Sequence, residues 1–207
     1  KQFSKNFESL GPRDKKGNYT NTKVTSAGVL LLLPYQGKAD RKGVLTIGYG
    51  HLISKGDDWM RSGITMEQVN AIHDQDIAEH AWRIPIAVKV PISQHEFDAL
   101  GLFQMNMGPY GLELGNGGKK TSILTRLNDG KRKEAALRFY LYCNSGGHFT
   151  EGLFFRRLSE TLIFLTGEYT MVGKANYKVI IKKIASASKP EAEKELLNFY
   201  NRKTGQG

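Results

Sequence analysis

The chain has 207 residues, 40% of them hydrophobic and 24% charged, with 23 glycines and one cysteine. That length suits one large or two small domains, and a globule of this size buries roughly 70% of its unfolded surface, so no disulfide or metal staple is needed. The composition excludes wholesale disorder. The longest apolar run, Val29 to Tyr35, falls far short of the ~20 residues that span a bilayer. Cys143 alone forms neither an internal disulfide nor a zinc knuckle, and it reads as a small buried hydrophobe. Thirty Lys plus Arg against twenty Asp plus Glu leave a net charge of +10. Such a surface favours a polyanion, whether nucleic acid, anionic lipid or anionic wall polymer. The sequence opens on Lys1 without Met or a leader, which reads as a processed or excised piece whose targeting information lies elsewhere.

In chain order, Phe3, Phe7 and Leu10 share one helical face, and Gly11-Pro12 end that first helix. Residues 12 to 26 have loop composition. Val29 to Tyr35 and Val44 to Tyr49 are β-rich runs that predict a hairpin with a long connection. Capping-box patterns at Thr65/Gln68 and Ser93/Glu96 predict helix starts near 66 and 94. The stretch from Leu100 to Met107 is apolar on nearly all sides, as in a buried central helix, with its methionines as core filling. Gly108 to Gly118 holds five glycines and predicts a loop. Further helices are predicted over Ser122 to Asn128, Lys131 to Tyr142 and Gly152 to Leu165. A last helical pair, Tyr177 to Ala185 and Pro190 to Arg202, closes the chain.

One constellation carries chemistry. Asp40, Gly43, Thr46, Gly48, Gly50 and His51 follow the spacing Asp-x2-Gly-x2-Thr-x-Gly-x-Gly-His. This resembles the hairpin of the T-even-type phage lysozymes, glycoside hydrolase family 24. The order continues with Gly63-Ile64-Thr65 leading to Asp76, Phe97-Asp98-Ala99-Leu100 with Asn106-x-Gly108, then Thr121-Ser122 and Asn128-x-Gly130. Gly152-Leu153-x2-Arg156-Arg157-x2-Glu160 and Thr166-Gly167 complete it over residues 29 to 170. The resemblance implies that Asp40 and Thr46 are active-site residues, that Tyr49, Asn106 and Arg156 bind substrate, and that His51 pairs structurally with Asp76.

The sequence departs from that family at the catalytic acid. The resemblance places a Glu-Gly about eight residues before Tyr35, yet the window reads Ser26-Ala27-Gly28-Val29-Leu30. Three explanations stand: replacement of the acid at Ala27, a natural dead homologue, or a Glu further upstream. The third is favoured, because Phe7-Glu8-Ser9-Leu10 at the end of the first helix resembles the family's Phe-Glu-Gly-Leu, and residues 11 to 26 then become a surface insertion of small entropic cost. Cleaving a glycosidic bond needs a protonated carboxylic acid at the leaving oxygen and a second carboxylate. Glu8 is assigned the first role, Asp40 the activation of a water held by Thr46, with inversion implied by the resemblance. No cofactor or metal is called for.

Each residue also has a plainer reading: Asp40 as a turn residue, Thr46 as a strand residue, Glu8 as a solvated helix carboxylate, and Arg156-Arg157 as a solvated charge pair. His73, His80, His95 and His148 have no metal-ligand spacing.

The expected fold is α+β and lysozyme-like: a small hairpin lobe, a larger helical lobe, a cleft between them, and extra C-terminal helices. The domain reading is residues 1–172 with the insertion at about 11–26, then a helical extension over 173–207. Lys174, Lys178, Lys182 and Lys183 there read either as wall or membrane affinity or as a solvated face. The expected function is muramidase hydrolysis of bacterial peptidoglycan in the periplasm or outside the cell. A monomer is expected, with room for a neutralising inhibitor protein. The rivals are a wall-binding module that lost the acid and a basic nucleic-acid binder, for which no signature is present. Phage endolysin, secreted antibacterial toxin and particle lysin are not distinguished.

Overall fold

A computed structural model describes residues 3–7, 10–36 and 43–206. They fall into two compact units, Lys1–Glu79 and His80–Gly207.

In the first unit a 3-10 turn over Ser4–Phe7 stands where the sequence predicts an α-helix. Strands β1 (Thr22–Val24) and β2 (Leu30–Leu32) pair antiparallel with Lys23 opposite Leu31. β3 (Thr46–Ile47) and β4 (His51–Leu52) form a second, tight hairpin. A 3-10 turn at Asp58–Ser62 and helix α1 (Met66–Ala81) follow. The small core is Leu32, Ile47, Ile53, Met60, Ile64 and Val69. Gly48 turns the β3–β4 hairpin at φ +58°, and a Cβ there would come 2.8 Å from Val69 Cγ1. Both the backbone conformation and the packing therefore require glycine.

Two expectations are corrected here. Residues 12 to 26 are not simply loop: they contain β1 and an antiparallel bridge between Arg13 and Tyr19. All three β1 residues are exposed, so the segment lacks the alternation by which a strand is read. Asn21, buried at 6% exposure, donates from Nδ2 to the Leu10 carbonyl at 3.0 Å and the Leu33 carbonyl at 2.9 Å. The apolar run after Val29 pairs backwards with β1. Among the described residues its link forward to the Val44–Tyr49 run is one bridge, Tyr35 to Thr46, with two 2.8 Å hydrogen bonds.

The second unit is helical: α2 (Ile84–Ala87), α3 (Gln94–Met107), the single turn α4 (Gly115–Gly118), α5 (Ser122–Asn128) and α6 (Arg132–Ala136). After a 3-10 turn at Phe139–Leu141 comes a small hairpin, β5 (Asn144–Ser145) with β6 (His148–Phe149). Then follow α7 (Glu151–Thr166), α8 (Tyr177–Ala187) and α9 (Glu191–Thr204). Both capping boxes form: Thr65 exchanges bonds with Gln68, and Ser93 with Glu96. They satisfy the donors that open α1 and α3.

α3 is buried without a break from Ala99 to Gln104, and α7 from Phe154 to Phe164. Tyr177, Ile180, Ile181, Ile184, Leu196 and Tyr200 of α8 and α9 join Phe154, Phe155, Leu158 and Leu162 of α7 in one core. Phe154 stacks on Phe199 with centroids 5.8 Å apart, and Tyr177 lies 4.7 Å from Tyr200. The chain beyond residue 172 thus supplies part of the second unit's interior. Cys143 is fully buried there, and burial pushes its thiol up to about 11. Among the described residues no helix is long and apolar enough to cross a membrane.

Candidate active site

The β3–β4 hairpin presents the residues of the Thr46-to-His51 motif. Thr46 is buried, opposite Leu52 in the hairpin and bridged to Tyr35 behind it. His51 points back onto α1, with Nδ1 at 3.0 and 3.2 Å from the two carboxylate oxygens of Asp76. Its Nε2 lies 3.7 Å from Asp57 Oδ2. The hydrogen bond that His51 donates to Asp76 raises the His51 pKa, burial opposes it, and both carboxylates favour the imidazolium.

Tyr49, between the two turn glycines, sits against the same helix with its ring 4.9 Å from the His73 ring. Burial raises its phenol pKa. His73, on α1 and 1% exposed, holds Ser4 Oγ at 2.9 Å. Lys5 donates to Asn70 Oδ1 at 2.7 Å and lies 5.4 Å above the Tyr49 ring. The turn Ser4–Phe7 is therefore docked on α1 beside the hairpin. Residue 8 follows it directly. Glu8 and Asp40 themselves lie outside the described residues. Ala27 is exposed in the turn that joins β1 to β2, where Gly28 takes φ +78°.

Asn106 and Arg156 belong to the second unit. Asn106 is exposed in the last turn of α3. Arg156 is 8% exposed, with Nε 3.3 Å from Glu160 Oε1 and Nη2 donating to the Leu102 carbonyl at 3.2 Å. Arg157 is completely buried, and its Nη2 bridges Glu160 Oε1 at 2.9 Å and Asn106 Oδ1 at 3.0 Å. The reading of Arg156-Arg157 as a solvated pair is thus overturned, because α7 is packed on every side. Burial lowers Arg157 to about 10 and raises Glu160 against the pull of both guanidiniums. Sequence reasoning gave no functional role to Arg157, Glu160, Ser4 or His73. The available signal for the first two was an Arg-Arg-x2-Glu run flanked on both sides by the large apolar residues Leu153, Phe154, Phe155 and Leu162, Ile163, Phe164 of one helix.

The chain thus joins a small β-hairpin unit to a helical unit built on a buried central helix, which is an α+β architecture. Residues 33–160 match the family described as Phage lysozyme. The endolysin of Bacillus phage B103 is 32% identical over 162 residues, 75% of this chain and 59% of that protein. The endolysin of Acyrthosiphon pisum secondary endosymbiont phage 1 is 30% identical over 152 residues, 68% of this chain and 97% of that protein. Among solved structures, the endolysin from Escherichia coli O157:H7 phage FAHEc1 is similar at a TM-score of 0.58 and 25% identity, covering 82% of this chain and 92% of that one. The chain belongs to the phage lysozyme family and has its lysozyme-like fold. It spans only 59% and 55% of the endolysins of Bacillus phages B103 and PZA.

Proposed function

We propose that the chain is a peptidoglycan hydrolase of the muramidase type, cleaving the β-1,4 bond between MurNAc and GlcNAc in the bacterial cell wall. The observation that carries this reading is the docking of the Ser4–Phe7 turn, which leads into Glu8, on the α1 surface that also holds Tyr49 and His51. Glu8 is the general acid that protonates the leaving oxygen. Asp40 is the carboxylate that activates water, with Thr46 holding that water. The expected course is inversion, which needs roughly 6.5–9.5 Å between the two carboxyls. Tyr49, Asn106 and Arg156 bind the glycan. The net charge of +10 suits an anionic wall.

The rival is a wall-binding module whose acid was lost at Ala27. An exposed turn in a two-stranded ribbon is a poor seat for an acid that must be desolvated to stay protonated, which favours Glu8. Digestion of purified sacculi followed by mass analysis of the muropeptides tests the reading. New reducing-end MurNAc is the expected product. Reducing-end GlcNAc would contradict the bond assignment, and intact sacculi that retain the protein would favour the binding module.

A further inference from the structure

Arg157 has no role in the proposed chemistry, yet it is a full cation with no exposed surface. Burying a charge is costly, and an apolar side chain of the same size is usually neutral or better for stability. The residue is also poorly satisfied: among the described residues Nε and Nη1 have no hydrogen-bond partner, and neither has Oε2 of Glu160. Both of its good bonds leave from one nitrogen, Nη2, toward Glu160 Oε1 at 2.9 Å and Asn106 Oδ1 at 3.0 Å. Its guanidinium also lies 4.8 Å from the Phe103 ring centroid on α3, so the group is fixed against the helix that carries Asn106.

A guanidinium only donates, so the Asn106 atom facing it must be the oxygen. The contact holds the amide oxygen toward Arg157, which leaves the NH2 as the group with which this exposed residue can donate. We infer that Arg157 is a positioning residue that fixes Asn106 as a hydrogen-bond donor, directed at an acceptor oxygen of the glycan. The N-acetyl carbonyl is the acceptor whose chemistry fits best, being the strongest neutral one on an N-acetylhexosamine. Glu160 is the counter-ion that keeps the cation in the interior. This rests on the proposed function, since it assigns a donor to the same glycan.

Two routes remove the donor without the same structural effect. Asn106→Asp keeps an acceptor for Arg157 but presents nothing to donate. The pair Arg157→Met with Glu160→Gln removes the two fully buried charges, keeps an amide oxygen for Arg156 Nε in place of the carboxylate, and frees the Asn106 amide to flip. Binding of peptide-free glycan strands of alternating GlcNAc and MurNAc, measured by calorimetry, and steady-state hydrolysis of the same strands are the readouts. Each route should raise Kd and KM roughly tenfold, the worth of one good hydrogen bond, with kcat within about twofold. The triple variant should be no weaker than Asn106→Asp alone. A role confined to stability would move the thermal transition and leave KM alone, and that result, or full additivity in the triple variant, overturns the inference. If the Met/Gln pair does not fold, unchanged Kd and KM in Asn106→Asp overturn it alone. Failure of the unaltered chain to bind or cleave the strands sinks the proposed function instead, and this inference with it.

Discussion

Replacing Asp76 by Asn removes one charge from the contact with His51 and leaves the shape nearly unchanged. At 3.0 Å, with an effective dielectric of about 20, two unit charges attract by roughly 5 kcal/mol before desolvation and side-chain ordering are set against it. The two side chains are 22% and 19% exposed, between the surface and buried limits, so the net contribution is about 1–3 kcal/mol. Its pH dependence has a definite sign. The His51 pKa is raised in the folded chain, chiefly by the hydrogen bond to Asp76. The folded state therefore binds the proton more tightly, and this stabilisation is full below the unfolded histidine value and lost as pH rises through the folded one. Urea unfolding followed by circular dichroism should put Asp76→Asn about 1–3 kcal/mol below the parent at pH 5.5. The gap should narrow toward the worth of a neutral hydrogen bond at pH 8.5. An equal loss at both pH values, or none at pH 5.5, would refute the ion pair as the source of the stability.

Asn21→Ala leaves the Leu10 and Leu33 carbonyls without their shared donor and should cost about 1–3 kcal/mol, read from the urea midpoint. An unchanged midpoint would return the segment before β2 to a mere surface insertion. Ending the chain at residue 172 strips α8 and α9 from Phe154, Phe155, Leu158 and Leu162, so that chain should aggregate or lose its cooperative thermal transition. A sharp transition near the parent Tm would mean that the last two helices are a separable appendage.

Much of the helical half is legible in the sequence, because its signals are local. Ser93/Glu96 and Thr65/Gln68 announce helix starts through short-range hydrogen bonds, and α5 begins and ends where the pattern places it. β1 is not legible, because Thr22, Lys23 and Val24 are all exposed and owe their conformation to pairing with a distant run. The hairpin motif was readable from spacing, but the docking of Ser4 on His73 joins positions 69 residues apart and leaves no local trace. The Arg157–Glu160–Asn106 network is hidden for a related reason. Charges on a helix are ordinarily read as a solvated face, and only the apolar residues on every other side of α7 signal that these are inside.

The central claim, that Glu8 is the acid and Asp40 the carboxylate of a muramidase, is tested most directly by turnover of purified sacculi by the parent, Glu8→Gln and Asp40→Asn, with folding checked by circular dichroism. Each substitution should lower kcat by at least the ~10²–10⁴-fold that general acid–base catalysis supplies, while sacculus binding persists. Full activity of Glu8→Gln, or an inactive parent that gains activity on Ala27→Glu, would contradict the assignment.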